Sequence, residues 1–190
     1  VQMITYAPYF ISTVILVGIL MQVTDMRTGI MNRIIGLFGA GPVNFFGDKD
    51  MFRGLFVGSG VWQTMGWNSI IFIAALSSVD TQLYDACKID GANRWQTMIH
   101  IDFPAILPTI MILLIMNMGN ILNVGFDKVF LMQNSLNLGA SQVISTYVYT
   151  VGIKSSQFSF GAAVGLFNTV INFVFLLVTN YVSKRSTGLM

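Results

Sequence analysis

The sequence predicts an all-α integral membrane protein, and three observations support that prediction. Only 18 of the 190 residues, 9% of the chain, are charged, whereas about a quarter are charged in a typical soluble domain. Hydrophobic residues make up 54% of the chain, and the mean hydropathy is +0.70. Uncharged windows long enough to cross a bilayer as helices, which takes ~20 apolar residues, occur along the whole sequence.

The predicted spans follow from these windows. They lie at about 3–23, 54–78, 105–126 and 159–182, and Pro8 predicts a kink near the start of the first. A further uncharged window, 129–153, is too polar in "VFLMQNSLNLGASQ" and too short in "VISTYVYTVGI". We interpret it as part of a loop with a short amphipathic segment. Four spans place both termini on one side of the membrane and leave loops at 25–52, 80–104 and 127–156.

Composition also excludes several functions. The net charge of +2 and the lack of a basic run argue against nucleic-acid binding. Cys87 is the only cysteine and His100 the only histidine, so we expect neither a disulfide nor a metal site, and no cofactor. The predicted spans contain no Asp, Glu, His, Lys or Arg, which argues against a membrane-embedded enzyme or a proton-coupled carrier and leaves us expecting no catalytic residue. A membrane enzyme and a purely structural membrane subunit nevertheless stay open as alternative functions for such a chain.

A charged loop interrupts this apolar chain. Six of the 18 charged residues fall between Asp80 and Asp102. We expect Asp80 to cap a first short helix, "TQLYDACKID", Gly91 to form the turn after it, and "NRWQTMIHI" to form a second. Pro104 and Pro108 would bracket the start of the third span. A helix–glycine–helix element of this kind suits docking to a partner, although a merely solvated loop is the alternative.

The loop resembles the "EAA" motif of permease subunits in binding-protein-dependent ABC importers. That motif reads Glu-Ala-Ala, three residues, Gly, nine residues, Ile, any residue, Leu-Pro. Here it becomes Asp85-Ala86-Cys87, Lys88-Ile89-Asp90, Gly91, nine residues, Ile101, Asp102 and Phe103-Pro104. Asp85, Cys87 and Phe103 depart from the pattern but keep its charge or its small or apolar character. The resemblance implies that the ATPase-coupling residues are Asp85, Ala86, Cys87, Asp90, Gly91, Arg94, Ile101 and Pro104.

Two further segments extend the resemblance to nearly the whole chain. "GFDKVFLMQNSLNLGASQVISTYVYTVGI" looks like the external segment, and "FSFGAAVGLFNTVINFVFLLVTN" like the final helix, of permeases that import complex polysaccharides or aldouronate-type oligosaccharides. The resemblance implies that residues 1–190 form a type I ABC importer transmembrane domain. Such domains usually have six spans, so we expect four here, with the N-terminal spans missing.

The resemblance also implies location and partners. We expect a multi-pass protein of the bacterial cell membrane, with loop 80–104 cytoplasmic and loops 25–52 and 127–156 external. The partners would be a related second permease, two ATP-binding subunits, an extracellular solute-binding protein, an oligosaccharide and lipid. ATP hydrolysis would lie in a separate subunit, because this chain has no phosphate-binding loop. The lysine and arginine count, six on the external side including Arg53 beside loop 25–52 and four on the other side, opposes this orientation.

Substrate contacts are expected from polar and aromatic side chains within the spans, because amides hydrogen-bond sugar hydroxyls and rings stack on sugar faces. The alternatives are amide bonding between helices and, for the tryptophans, anchoring at the membrane interface. "GLFVG" at 54–58 and "GAAVG" at 161–165 are interpreted as helix-packing patterns. The substrate-pathway candidates are Trp62, Gln63, Trp67, Asn68, Asn117, Asn120, Asn123, Asn168 and Asn172.

Overall fold

The computed structural model describes residues 2–187, and this range is helical with no strand. A 3₁₀ turn occupies Ala7–Phe10, and π-helical turns occupy Met98–Asp102 and Tyr149–Lys154. The α-helices are α1 Gln2–Tyr6, α2 Thr13–Val23, α3 Ile30–Leu37, α4 Lys49–Ser77, α5 Thr81–Ile89, α6 Arg94–Thr97, α7 Phe103–Met118, α8 Phe126–Met132, α9 Leu138–Ser141, α10 Ile144–Val148 and α11 Phe158–Thr187.

Two helical segments of the described chain are long and apolar enough to cross a membrane, Arg94–Met118 and Phe158–Arg185. Two bent pairs of helices would raise the number to four if each pair is one span. The pairs are Gln2–Phe10 with Thr13–Val23, bent by 104°, and Lys49–Ser77 with Thr81–Ile89, bent by 71°. These segments overlap the four predicted windows, and the membrane placement itself stays a prediction.

The two unbroken segments bury little of their surface inside the chain. None of the most apolar window of Arg94–Met118 and only 6% of that of Phe158–Arg185 is buried. Leu166, Phe167 and Val178 on α11 are all more than half exposed. Since a soluble monomer rarely exposes large contiguous apolar surface, these helices require lipid or other subunits around them.

The expectation of one kinked helix over 3–23 is wrong. The chain leaves the helical conformation at Ile11, whose φ and ψ are −75° and 125°, and Ser12 then caps α2 by accepting a hydrogen bond from the Ile15 amide at 3.4 Å. Pro8 lies within the preceding 3₁₀ turn. Because proline lacks an amide hydrogen, Pro8 cannot bond back to the Ile4 carbonyl, which favours the change from α1 to the 3₁₀ turn, and Ser12 then starts a new helix in another direction.

The expectation of a separate second helix in the charged loop is also wrong. Residues Arg94–Met118 form one continuous helical segment in which a π turn, Met98–Asp102, joins α6 to α7. The amide of Phe103 bonds to the Met98 carbonyl, five residues back. This wider turn directly precedes Pro104, whose ring would crowd the carbonyl four residues back in a regular α-helix. Pro104 therefore lies inside a helical segment rather than at a break.

The same segment ends earlier than the predicted span 105–126. After Met118 the chain passes through tighter turns, in which the Asn120 amide bonds to the Asn117 carbonyl at 3.1 Å. The Asn120 side chain donates to the Met116 carbonyl at 3.3 Å. An asparagine that bonds back to the backbone competes with the helical hydrogen-bond pattern, and Gly119 just before it is a poor helix former.

The chain divides into two compact units. The first runs through Trp67 and resumes at Leu122–Leu166; the second contains Asn68–Ile121 and the chain from Phe167 onward. The core of the first unit joins α2, α4 and α8 through Val17, Phe52 and Met132. In the second unit, a Cβ added at Gly119 would lie 3.0 Å from a methyl group of Leu176, which indicates close packing of α7 against α11.

Candidate functional site

The first half of the charged loop is a helix closed at both ends by its own sequence. Asp80 accepts a hydrogen bond from the Gln82 amide at 2.9 Å, so the predicted cap of α5 is confirmed. At the other end Gly91 has a φ of +73°, so the predicted turn is confirmed as well. The Ala92 amide bonds to the Cys87 carbonyl at 2.9 Å, and the Gly91 amide to the Lys88 carbonyl at 3.2 Å. This pair of bonds is a Schellman motif, which requires a residue of left-handed conformation at the glycine.

The second half of the loop begins with a reciprocal cap. Asn93 accepts from the Gln96 amide at 2.9 Å, while the Gln96 side chain accepts from the Asn93 amide at 2.8 Å. This capping box satisfies two amides that would otherwise have no partner at the start of α6. Because α6 continues through the π turn into α7, the loop is joined without a break to a long apolar helix.

One side-chain hydrogen bond joins the two halves of the loop. The Tyr84 hydroxyl on α5 donates to Oδ1 of Asp102 at 2.7 Å. The hydrogen bond to this carboxylate, with smaller contributions from burial and from its negative charge, raises the pKa of Tyr84. The bond therefore favours the protonated hydroxyl and holds α5 against the start of α7.

The predicted coupling residues form the outer surface of this rigid loop. Asp85, Ala86, Asp90, Gly91, Arg94 and Pro104 are exposed, while Cys87 and Ile101 are half-buried. Asp85 pairs with Lys88 at 3.0 Å, and both side chains are more than two-thirds exposed. A shallow cavity of about 250 Å³ is lined by Cys87, Asp90, Gly91, Ala92, Gln96 and His100. The loop thus offers exposed polar side chains on a fixed backbone, as a docking element requires.

Two substrate-pathway candidates on α4 instead contact residues at the helix break between Phe10 and Thr13 and stabilise it. The side-chain amide of Gln63 donates to the Ile11 carbonyl at 3.0 Å, satisfying a backbone group at the break. The Trp67 ring stacks on Tyr9, with ring centroids 4.4 Å apart and planes 2° apart, and meets Phe10 edge-on. Both side chains are therefore in contact with the bent segment, and their role toward a substrate stays a prediction.

Trp62, another candidate on α4, borders an apolar cavity of about 380 Å³ in the first unit. Its side chain is 45% exposed. Gly54 and Gly58 form part of the same wall, and a Cβ at either glycine would meet nothing within 4 Å. In the second glycine pattern, by contrast, Gly161 packs against Gly152. A Cβ added at Gly152 would lie 3.2 Å from the Gly161 Cα.

The candidate asparagines are distributed over several elements. Asn68 on α4 and Asn117 on α7 are exposed, whereas Asn172 on α11 is only 7% exposed and Asn168, one turn earlier, is half-buried. The expectation that Asn117, Asn120 and Asn123 all lie within the helix of the third span is wrong, because α7 ends at Met118 and only Asn117 lies within it. The burial of Asn172 favours packing contacts over substrate contact at that position.

Comparison with known proteins identifies the class of this chain. The family model described as "Binding-protein-dependent transport system inner membrane component" matches residues 1–188. The chain belongs to this family. That result confirms the predicted type I importer permease fold, which the resemblance of the charged loop had implied.

Two relatives come from Bacillus subtilis (strain 168). Protein LplB is 40% identical over 185 residues. The polygalacturonan/rhamnogalacturonan transport system permease protein YteP is 38% identical over 185 residues. Each alignment covers 97% of this chain and 58% of the relative, so the chain spans somewhat over half the length of these permeases.

Two solved structures share the fold at 36% sequence identity. One is a bacterial ABC transporter involved in the import of the acidic polysaccharide alginate, with a TM-score of 0.94 over 97% of this chain and 64% of that chain. The other is a bacterial alginate ABC transporter in complex with alginate pentasaccharide-bound periplasmic protein, with a TM-score of 0.95 over 98% and 65%.

The permease also contains an amide network that sequence reasoning missed. Asn137 is fully buried, donates to the Phe46 and Met132 carbonyls at 2.9 and 3.0 Å, and accepts from the Asn134 amide and the Ser141 hydroxyl, each at 2.9 Å. Asn134 donates to the same Phe46 carbonyl at 2.9 Å. These bonds fasten segment 127–156 to loop 25–52. The polar run "QNSLN" was the available signal, because buried asparagines must have their hydrogen bonds satisfied.

A second asparagine closes loop 25–52 on itself. Asn32 is buried, donates to the Val43 carbonyl at 2.9 Å and accepts from the Val43 amide at 2.7 Å. Nearby, hydrogen bonds from the backbone amides of Thr28 and Arg27 and from the Thr28 hydroxyl lower the pKa of Asp25. The predicted external loops of the permease are therefore structured rather than free.

Proposed function

We propose that this chain is the membrane-spanning part of an importer permease that translocates oligosaccharides, driven by ATP hydrolysis in separate subunits. The observation that supports the proposal is the charged loop: an exposed, capped helix whose Gly91 turn leads without interruption into Arg94–Met118. Contact with an ATPase subunit on α5 would move that long helix. The loop would lie on the cytoplasmic side of a bacterial cell membrane.

The substrate and the remaining partners follow from the relatives. YteP is named as a polygalacturonan/rhamnogalacturonan transport permease, and a solved relative was crystallised with an alginate pentasaccharide-bound periplasmic protein. By analogy, the cargo of this permease is an oligosaccharide delivered by an extracellular binding protein. A second, related permease completes the pathway, and two ATP-binding subunits drive it.

Cysteine crosslinking tests the coupling role of the loop. The native Cys87 is half-buried, so it is replaced by serine and a new cysteine is introduced at the exposed Ala86 of the full-length permease. We expect A86C to crosslink to single cysteines on the candidate ATPase in a manner that changes with ATP. The matched control is Ser155→Cys, which lies in the predicted external segment and should give no such crosslink.

A membrane-impermeant thiol reagent applied to intact cells tests the orientation of the same two variants. The reagent should label S155C and leave A86C unlabelled. Labelling of A86C from outside, or ATPase crosslinks to S155C in place of A86C, would refute both the orientation and the coupling role.

A further inference from the structure

Lys128 holds a positive charge against the external end of α4. It lies on α8 in the first unit, where its ammonium donates to the Phe56 carbonyl at 3.1 Å and sits 5.0 Å from the centre of the Phe56 ring. The side chain is half-buried, and this burial lowers the pKa of Lys128. An ammonium that has lost part of its hydration requires compensation from its surroundings.

The surroundings compensate this charge only in part. The Phe56 carbonyl also lies 3.1 Å from the Ser59 hydroxyl, whose single hydrogen has a closer acceptor in the Leu55 carbonyl. No carboxylate among residues 2–187 lies within 4.0 Å of the Lys128 ammonium, since the ion pair found in that range joins Asp85 and Lys88. Of the helices that contact α8, α2 and α10 contain no acidic residue, and neither Asp50 of α4 nor Asp127 of α8 itself pairs with Lys128.

The backbone leaves space beside the ammonium. The nearest atom that a Cβ on Gly60 would meet is Nζ of Lys128, at 3.4 Å, so the glycine keeps this side of the ammonium free of a side chain. An ammonium has three hydrogens to donate, and one of them is used by the Phe56 carbonyl. The remaining donors suit an anion.

We propose that Lys128 forms a subsite for the carboxylate of an acidic sugar residue in the transported oligosaccharide. The proposal rests on the proposed function and narrows its substrate to anionic oligosaccharides. The carboxylate would take the free ammonium donors in short charge-assisted hydrogen bonds. Ionisable groups next to membrane spans that lack a counter-ion commonly mark the path of a charged ligand.

The test uses the full-length permease with its partner subunits and binding protein in proteoliposomes. Uptake of trigalacturonate is compared with uptake of its fully methyl-esterified, neutral form in wild type, Lys128→Met and Lys128→Arg. We expect K128M to raise the apparent KM for trigalacturonate about tenfold or more, as expected for a lost hydrogen bond to a charged group. Uptake of the ester should not change, and K128R should keep most of the affinity for the acid.

The matched control is Lys154→Met on the same segment. Lys154 is exposed and lies 5.4 Å and 5.7 Å from the ring centres of Tyr149 and Phe130, so it too is a lysine against aromatic rings. K154M should transport both trisaccharides as wild type does. The inference is overturned if K128M takes up the acid normally, or if uptake of acid and ester falls together, which would indicate a structural role.

The wild type separates this inference from the proposed function. Wild-type uptake of the ester alone would refute the carboxylate subsite and leave oligosaccharide import standing. A wild-type transporter that takes up neither trisaccharide, and shows no stimulation of ATP hydrolysis by loaded binding protein, would refute the proposed function itself.

Discussion

Substitution of Gly91 tests whether coupling depends on one backbone conformation. Its φ of +73° lies in the left-handed region, and a Cβ there would meet no atom of the chain within 4 Å. The cost of a side chain is therefore backbone strain alone, roughly 1–2 kcal/mol for an ordinary residue and at least the upper value for β-branched valine. About 2 kcal/mol corresponds to a roughly 30-fold lower equilibrium constant for forming the turn that orients α5.

The assay measures sugar imported per ATP hydrolysed in proteoliposomes that contain the complete transporter. We expect Gly91→Val to lower this ratio strongly while basal ATP hydrolysis continues, because the ATPase is intact and the loop no longer transmits its motion. Gly91→Asn is the matched control, since asparagine is close to valine in size but adopts the left-handed conformation far more readily.

The order of the variants separates two explanations. Strain predicts that the asparagine variant couples better than alanine, and alanine better than valine. Steric exclusion from an ATPase groove predicts that asparagine and valine are equally defective. Normal import per ATP in Gly91→Val would refute the requirement for a left-handed residue, and equal defects in the asparagine and valine variants would refute the strain argument.

Three further substitutions test individual contacts, one at the break in the first segment, one in the buried amide network and one within the charged loop. Gly66→Ala should lower the free energy of unfolding by about 1–3 kcal/mol, measured as a lower unfolding temperature of the purified transporter, because a Cβ would overlap a carbonyl oxygen of α1. The control is Gly58→Ala, whose Cβ would meet open space and which should leave stability unchanged or raise it. Asn137→Leu should cost about 3 kcal/mol and speed hydrogen exchange across segment 127–156, since it leaves buried backbone groups unpaired; unchanged exchange would contradict this. Tyr84→Phe should lower import per ATP at pH 7, where the protonated wild-type hydroxyl donates to Asp102. Because this bond raises the pKa of Tyr84, the wild type should approach the variant only at pH values above the ordinary tyrosine range, and equal coupling at pH 7 would exclude a role for this bond.

Local sequence signals predicted the first half of the charged loop well because its structure is determined by near neighbours. The Asp80 cap acts over two residues, and the Gly91 motif closes bonds within the preceding turn. A residue type with a strong conformational preference at the right spacing is sufficient to specify such features. The helix boundary at Met118 was missed because asparagine and glycine act there against a strongly apolar pattern.

The break in the first segment could not be predicted, because the groups that stabilise it come from far along the chain. The Ile11 carbonyl finds its donor in Gln63, 52 residues away. Gly66 allows the backbone near Thr5 to approach α4. Read alone, the window 1–24 is a plausible single span. The same limit applies to Lys128, whose partner Phe56 lies 72 residues earlier.

These long-range contacts also bear on the charge count that opposed the orientation. Six lysines and arginines lie on the predicted external side against four on the other side, but Lys128 is half-buried against α4 and Lys154 lies over two aromatic rings. The positive-inside rule concerns flanking charges that interact with the membrane during insertion. If the lysines that the fold engages are left out on both sides, namely Lys128, Lys154 and the Lys88 that pairs with Asp85, four charges remain against three, a difference too small to decide the orientation. Orientation then depends on the capped loop as the ATPase contact, and thiol labelling of A86C and S155C decides it independently of any charge count.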